Sequence, residues 1–191
     1  GTSSTHAINL KNIAQYTISW SGGITHSSNG VLFGGVNGFG NTNFIPSTQL
    51  SDANSKHFSI YSRTSTIAAQ RAHGSYQDVT RSWVAFIRRT SGVPLDGFVA
   101  TNSDDNVFLN FSSTDSRGFF ISSRTSSTLL KGYKNGTLKN TKTTSSTNNL
   151  PTISFNIGRV NGVGLYDNKQ IAFATLGDGL DDNESNALST S

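Results

Sequence analysis

The chain has 191 residues, of which 34% are hydrophobic and 14% are charged, and its formal net charge at pH 7 is +4. The many Phe, Tyr and Trp residues exclude a disordered chain, and the length suits one domain with its own core. No run of Lys or Arg exceeds two residues, which argues against nucleic-acid binding. Cysteine is absent, so disulfides and thiolate metal sites are excluded, and no apolar stretch is long enough for membrane insertion.

The first residues, GTSST, resemble a linker remnant. Methionine is absent even at position 1, so Gly1 either follows a cleavage or belongs to a piece of a longer chain. We expect residues 1–6 to be a linker or a processed segment. Residues 7–191 are predicted to form a single β-sandwich domain.

Strand patterns dominate the chain from residue 7 onwards. Short alternating or apolar stretches are separated by Gly, Asn and Ser, as in all-β proteins. Residues 21–43 are predicted to be a long connection that holds one short strand. The predicted strands are 7–10, 16–20, 30–33, 57–64, 82–88, 97–101, 107–112, 118–124, 127–133, 153–160 and 170–176.

Two local motifs predict a hairpin and a helix. Asn135-Gly136 suits a type I′ turn, in which both central residues have positive φ. Asp181 is followed three residues later by Glu184, the pattern of a capping box, and the helix would run to about residue 188. The expected fold is all-β, a two-sheet antiparallel jelly-roll sandwich with one short C-terminal helix.

Three stretches carry a family resemblance. They are GVNGFGNTNFIPSTQLSDANSKHFSIYSRTS at 35–65, GYKNGTL at 132–138 with FNIGRVNG at 155–162, and YDNKQIAFATLGDGLDDNESNAL at 166–188. Together they resemble concanavalin A-like, laminin G-like jelly-roll domains of bacteriophage structural proteins (fibre, tail or capsid-associated) and bacterial surface proteins. The resemblance implies two stacked sheets, one of them concave. Such domains include lectins, carbohydrate-binding modules, glycoside hydrolases and structural modules, so the fold does not choose a function.

The acidic residues argue against catalysis. The resemblance implies that hydrolases of this fold use two carboxylates close together on one strand, and retaining chemistry needs them about 5 Å apart. The chain has a single glutamate, Glu184, at the predicted helix cap, and no predicted strand carries two acids two residues apart. The histidines have no G-x-S-x-G partner. We therefore predict that the chain is not an enzyme, with glycoside hydrolase as the less favoured alternative.

No cofactor is predicted. Asp104 and Asp105 form a dense acidic pair, and a calcium ion at the sandwich rim is one interpretation of it. A turn between strands is the favoured interpretation, because the spacing does not match that of an EF-hand loop. The histidines lack short metal-ligand spacing, so no zinc site is predicted.

The triplet Arg-Thr-Ser ends three strand-like stretches, at 58–65, 84–91 and 119–126. Alternation along a strand places each arginine on the face of an aromatic residue. The pairs are Tyr61 with Arg63, Phe120 with Arg124, and Trp83 with Arg89 or Phe86 with Arg88.

Two interpretations of these pairs stay open. A ring can stack on a sugar while the guanidinium donates to hydroxyl or acidic groups. Alternatively, the arginine lies over the ring and closes the sandwich edge. The candidate ligand-binding residues are Tyr61, Arg63, Trp83, Arg89, Phe120, Arg124 and Tyr133.

The resemblance and the missing catalytic acids predict a non-catalytic carbohydrate-binding, host-recognition module of a phage virion or surface protein. The alternative is a structural decoration or assembly module of a virion with no ligand of its own. The expected partners are a cell-surface glycan or polysaccharide and other virion proteins, with a homo-oligomer formed through the parent assembly. The expected location is the virion, the cell surface or the extracellular space.

Overall fold

The computed structural model describes residues 1–66, 73–89, 97–103 and 107–191. The helices are α1 (Ser3–His6), α2 (Pro46–Gln49) and α3 (Asp182–Thr190). The strands are β1 (Ser19–Ser21), β2 (Ile24–Ser27), β3 (Gly30–Phe33), β4 (Phe39–Asn41), β5 (Lys56–Ser62), β6 (His73–Asp78), β7 (Arg81–Arg89), β8 (Gly97–Ser103), β9 (Phe108–Ser112), β10 (Gly118–Ser126), β11 (Leu129–Lys134), β12 (Thr137–Lys142), β13 (Asn156–Ile157), β14 (Arg159–Asn161), β15 (Leu165–Tyr166) and β16 (Gln170–Gly177).

The strands form two sheets. The nine-stranded sheet has the order β1-β4-β13-β6-β7-β8-β9, and the β14–β15 hairpin joins it beside β6. The seven-stranded sheet has the order β12-β11-β10-β5-β16-β3-β2. Among the described strands, every pair is antiparallel except the short pair of β14 with β6. The predicted all-β, two-sheet antiparallel sandwich with one short C-terminal helix is confirmed.

The main core lies between the inner faces of the two sheets. Phe58 of one sheet and Trp83 of the other pack on the same ring, that of Phe155, with ring centroids 4.9 and 5.0 Å away. Large aromatic groups therefore fill the space between the sheets, as the composition predicted. The largest apolar side chains that are fully buried are Phe33, Phe58, Trp83, Phe98, Phe120, Tyr133 and Phe155.

Several predicted elements were wrong near the N-terminus. Residues 7–10 form no strand, and the apolar side chains of Ile8 and Leu10 are exposed. The predicted loop at 21–43 contains β2 and β4 besides the expected β3. β2 and β4 have four and three residues, so their local sequence carries too short a pattern to identify them, and β4 also depends on pairing with the distant β13.

Both predicted local motifs are confirmed. Asn135 and Gly136 have φ values of 50° and 75°, and they join β11 to β12. At α3, the Asp181 side chain accepts a hydrogen bond from the Glu184 N–H, and the Glu184 carboxylate accepts one from the Asp181 N–H. Within the described residues, no helix has the length and apolar content needed to cross a membrane.

A buried ionic cluster joins β6 to the segment that precedes β16. The Asp167 carboxylate lies 2.7 Å from His73 Nε2 and 3.2 Å from Lys169 Nζ, and all three side chains are buried. His73 Nδ1 accepts a hydrogen bond from the Gly158 N–H, which places the imidazole proton on Nε2, facing Asp167. Burial alone would raise the pKa of Asp167, but Lys169 and His73 hold it well below its usual range.

We expect Asp167→Asn to lower the free energy of unfolding by about 3 kcal/mol or more, because it leaves the buried ammonium of Lys169 without its countercharge. Urea denaturation at pH 7 measures this loss. Asp78→Asn is the matched control, since Asp78 forms an ion pair with Arg81 at the surface and its loss should change stability little. An equal loss in the two variants would contradict a special role for the buried cluster.

A second buried cation lies at the start of β5. Lys56 Nζ donates to the Ala53 carbonyl oxygen, and Lys56 is the cross-strand partner of Arg124. Burial, and then the charge of Arg124, lower the pKa of Lys56 to about 7, although Asp52 partly opposes the change. The folded protein therefore releases this proton far more readily than the unfolded chain does.

Lys56 predicts a pH dependence of stability. Between about pH 7 and 10 the unfolded chain keeps the lysine proton that the folded state has released. Stability should therefore rise with pH across this window because of Lys56. Lys56→Met should remove this part of the rise in urea denaturation, while Lys139→Met, at an exposed position, should leave it. The same slope in wild type and Lys56→Met would refute the assignment.

Candidate functional site

The two most similar Arg-Thr-Ser stretches, at 58–65 and 119–126, place their arginines on opposite faces of the seven-stranded sheet. β5 and β10 are antiparallel neighbours, and their register pairs Tyr61 with Phe119. Tyr61 and Arg63 therefore point outwards, whereas Phe120 and Arg124 point inwards. Alternation correctly groups each arginine with its aromatic neighbour, but only the pairing of the strands decides which face is the core.

Arg124 supports the structure from inside. Its side chain is fully buried, Nε donates to the Asn102 carbonyl oxygen at 3.2 Å, and Nη1 donates to the Ser127 carbonyl oxygen at 3.0 Å. A ligand outside the sandwich cannot contact it. The prediction that Arg124 binds a ligand at the surface is therefore corrected. Arg124 instead links β10 to β8 and to the turn before β11 by hydrogen bonds.

Three aromatic candidates are also buried. Trp83 lies in the main core because its face of β7 is the inner one, and Phe120 packs on Phe98 with ring centroids 5.6 Å apart. Tyr133 faces outwards, but α3 covers it, and its hydroxyl donates to Asp182 Oδ1 at 2.6 Å. As folded, none of these three rings offers a surface to a ligand, which corrects their assignment to a binding face.

The outer face of the seven-stranded sheet carries an exposed aromatic patch that we call the shelf. It consists of Phe173, Tyr61 and Arg63. Phe173 is the cross-strand partner of Tyr61, and the two side chains are 40% and 38% exposed. The Arg63 guanidinium lies 5.8 Å from the centre of the Tyr61 ring. Two of the sequence candidates thus meet at the surface, next to the part of the sheet that α3 covers.

The outer face of the nine-stranded sheet carries an open pocket of about 440 Å³, which we call the groove. Strands β7, β8 and β9 supply its floor, while β6 and the β14–β15 hairpin form the opposite wall. Its lining is mainly apolar and aromatic. The residues are Tyr76, Val84, Phe86, Arg89, Val99, Thr101, Phe108, Val160, Val163 and Leu165.

A register shift in β7 brings Arg89 into the groove. Regular alternation predicted that Arg89 shares a face with Trp83, but the pairing of β7 with β8 shifts between Phe86 and Arg89. The Arg89 guanidinium lies 4.9 Å from the centre of the Phe86 ring. Arg89 therefore keeps its place as a candidate, although with Phe86 and not with Trp83 as its aromatic neighbour.

Gly74 lets the wall of the groove approach the floor. It pairs with Val160 of the β14–β15 hairpin, and its φ of +140° is one that other residues rarely adopt. A Cβ at this position would lie 2.2 Å from the Trp83 carbonyl oxygen. The sequence did not reveal the hairpin. Residues 153–160 were predicted as one strand, whereas the structure has the separate short strands β13, β14 and β15.

Arg89 is the one charged side chain among the described residues that line the groove. Its Nε–H is buried and has no hydrogen-bond partner. The Thr101 hydroxyl is already engaged, since it lies 2.7 Å from the Ser82 hydroxyl and accepts from the Val84 N–H at 3.2 Å. Among the described residues of the lining, the groups with unused donor capacity are thus the Arg89 guanidinium and the Tyr76 hydroxyl.

The described carboxylates and histidines form no recognisable catalytic or metal site. Glu184 is engaged in the α3 cap. His73 faces Asp167 as in a catalytic dyad, but its other nitrogen is occupied by the Gly158 N–H and the pair is buried. Within the described ranges, no group of three or more His, Cys, Asp or Glu side chains could hold a metal ion. Asp104 and Asp105, the candidates for calcium, lie outside the described residues.

No protein-family model and no curated protein sequence matches the chain. Solved structures do match. Domain 4 of AbnA, a GH43 extracellular arabinanase from Geobacillus stearothermophilus, in complex with arabinotriose, gives a TM-score of 0.57 at 14% identity, over 91% of this chain and 81% of that one.

Botulinum neurotoxin structures match as well. One is a structure of botulinum neurotoxin type C, whose cell entry depends on interaction with two ganglioside molecules. It gives a TM-score of 0.58 at 14% identity, over 92% of this chain and 46% of that one. The binding domain of botulinum neurotoxin DC in complex with rat synaptotagmin II gives a TM-score of 0.58 at 15% identity, over 92% of this chain and 47% of that one. The chain thus spans about half of these neurotoxin chains. At such identities the likeness shows a shared β-sandwich fold.

The two arginines of the repeated stretch should differ in their effect on stability. Arg124→Ala removes buried hydrogen bonds and leaves a cavity, so we expect it to cost about 3 kcal/mol or more. Arg63→Ala, in the same local sequence but at the surface, should change stability by less than about 0.5 kcal/mol. Thermal and urea unfolding of the two variants measure the difference, and a comparable loss in Arg63→Ala would contradict it.

Proposed function

We propose that the chain is a carbohydrate-binding module without catalytic activity and that the groove holds the sugar. The observation that carries the proposal is the groove itself, an open pocket with apolar and aromatic walls and with the Arg89 guanidinium and the Tyr76 hydroxyl free to donate. Binding sites for small molecules usually combine such walls with a few polar groups that fix orientation.

The chemistry of the lining suits a saccharide. One face of a sugar ring presents C–H groups, which pack well on aromatic rings such as those of Tyr76, Phe86 and Phe108. The hydroxyls on the ring edge need hydrogen-bond donors and acceptors, and the Arg89 guanidinium supplies several donors. The volume of the groove, about 440 Å³, lies in the range that is usual for small-ligand sites.

The solved structures support the general class of carbohydrate binding, but not the position of the site. The arabinanase domain is in complex with arabinotriose, and cell entry of the type C neurotoxin depends on interaction with two ganglioside molecules. A sandwich of this shape thus occurs in proteins that handle carbohydrates. The use of Glu184 in the α3 cap supports the non-catalytic part of the proposal, because that glutamate is the only one in the chain.

The biological setting that we propose is recognition of a host-cell glycan by a phage virion or a surface protein. This part of the proposal rests on the sequence resemblance. The shelf favours a second candidate function, an assembly module, because the exposed Phe173 and Tyr61 could pack on another protein chain. In that case the shelf, and not the groove, is the functional surface.

A glycan array, followed by calorimetry with the best ligand, tests the proposal. Tyr76→Ala and Phe108→Ala should each weaken binding by about tenfold, because each removes an aromatic contact worth about 1.5 kcal/mol. The melting temperature of each variant shows whether the fold is intact.

Tyr61→Ala is the matched control, since it removes an exposed aromatic ring from the opposite sheet. It should leave the affinity unchanged. If Tyr61→Ala weakens binding and the groove variants do not, the site is the shelf. If no carbohydrate binds, the proposed function fails.

A further inference from the structure

We infer that the groove selects a saccharide that carries a carboxylate and that Arg89 binds this group. The inference rests on the proposed function and names the substrate class for the same site. Three observations carry the inference. They are the unpartnered Nε–H of Arg89, the lack of acidic side chains among the described lining residues, and the contact of the guanidinium with the Phe86 ring.

Arg89 differs from Arg81, Arg117 and Arg124 because its guanidinium lines an open pocket and keeps a donor without a partner. Arg81 and Arg117 form ion pairs with Asp78 and Asp115. Arg124 donates to backbone carbonyl oxygens, and although its Nη2 has no partner, the side chain is enclosed in the core. The Arg89 Nε–H is also buried without a partner, but its guanidinium lines an open pocket. A buried donor of this kind is unfavourable in the free protein, so a ligand that accepts its hydrogen bond gains affinity.

The lining leaves room for a negative charge. The described residues that line the groove include no Asp or Glu. The chain as a whole has a net charge of +4, which favours the approach of acidic polymers. A neutral sugar would use the hydrogen-bond donors of Arg89 but not its charge.

The geometry favours a carboxylate. The guanidinium lies 4.9 Å from the centre of the Phe86 ring, and this contact restricts the orientation of its fork of N–H donors. Such a fork matches the two oxygens of a carboxylate in a bidentate arrangement. A uronic or sialic acid joins this group to a ring whose C–H face can pack on the aromatic wall, so one ligand uses both parts of the groove.

The experiment compares acidic oligosaccharides with their own neutral forms. An array of uronic-acid and sialic-acid oligosaccharides is printed beside the same compounds after reduction of each carboxyl group to a hydroxymethyl group. We expect the acidic member of a bound pair to bind at least tenfold more tightly, and this difference to shrink as salt is added. Arg89→Gln should abolish the difference, and Arg89→Lys should keep only part of it.

Arg63→Gln is the control, because Arg63 also lies over an aromatic ring but on the shelf. It should leave the preference for the acidic member unchanged, and melting temperatures should confirm that each variant is folded. Equal binding of acidic and reduced members, or an unchanged preference in Arg89→Gln, would overturn the inference and leave the proposed function standing. Binding to no carbohydrate on this array or on the broader one would overturn both.

Discussion

The pairing of β5 with its two neighbours is the constraint on which the seven-stranded sheet depends. β5 lies between β10 and β16, and its register fixes which side chains of all three strands enter the core. A shift by one residue would exchange Phe58 and Ile60 for Ser59 and Tyr61 on the inner face. The buried cations Lys56 and Arg124 are partners in this register, so their unusual environment is a direct result of it.

The same constraint explains why one short motif has two roles. Arg63 and Arg124 end almost identical stretches, but the strands run in opposite directions and present opposite faces to the core. The sequence alone could show that each arginine shares a face with an aromatic residue. It could not show which face was buried, because that depends on the neighbour across the sheet and not on neighbours along the chain.

The fold class was predictable because its signals are local. Alternating short strands, the Asn135-Gly136 turn and the Asp181 capping box each depend on a few adjacent residues. The groove was not predictable, for two physical reasons. The register shift in β7 overrides simple alternation at Arg89. The opposite wall is a hairpin whose two strands have three and two residues, too few to carry a periodic pattern.

The β14–β15 hairpin has a consequence for how such a domain could diversify. Among the described strands outside the hairpin, it pairs with β6 of the nine-stranded sheet, at one edge of the groove, and Val163 at its tip is exposed. Val163 does not belong to the main core between the sheets. Insertions or exchanges around residue 163 could therefore reshape the pocket while the sandwich folds as before. The floor of the groove has no such freedom, because β7 carries Phe86 and Arg89 on one face and the core residue Trp83 on the other.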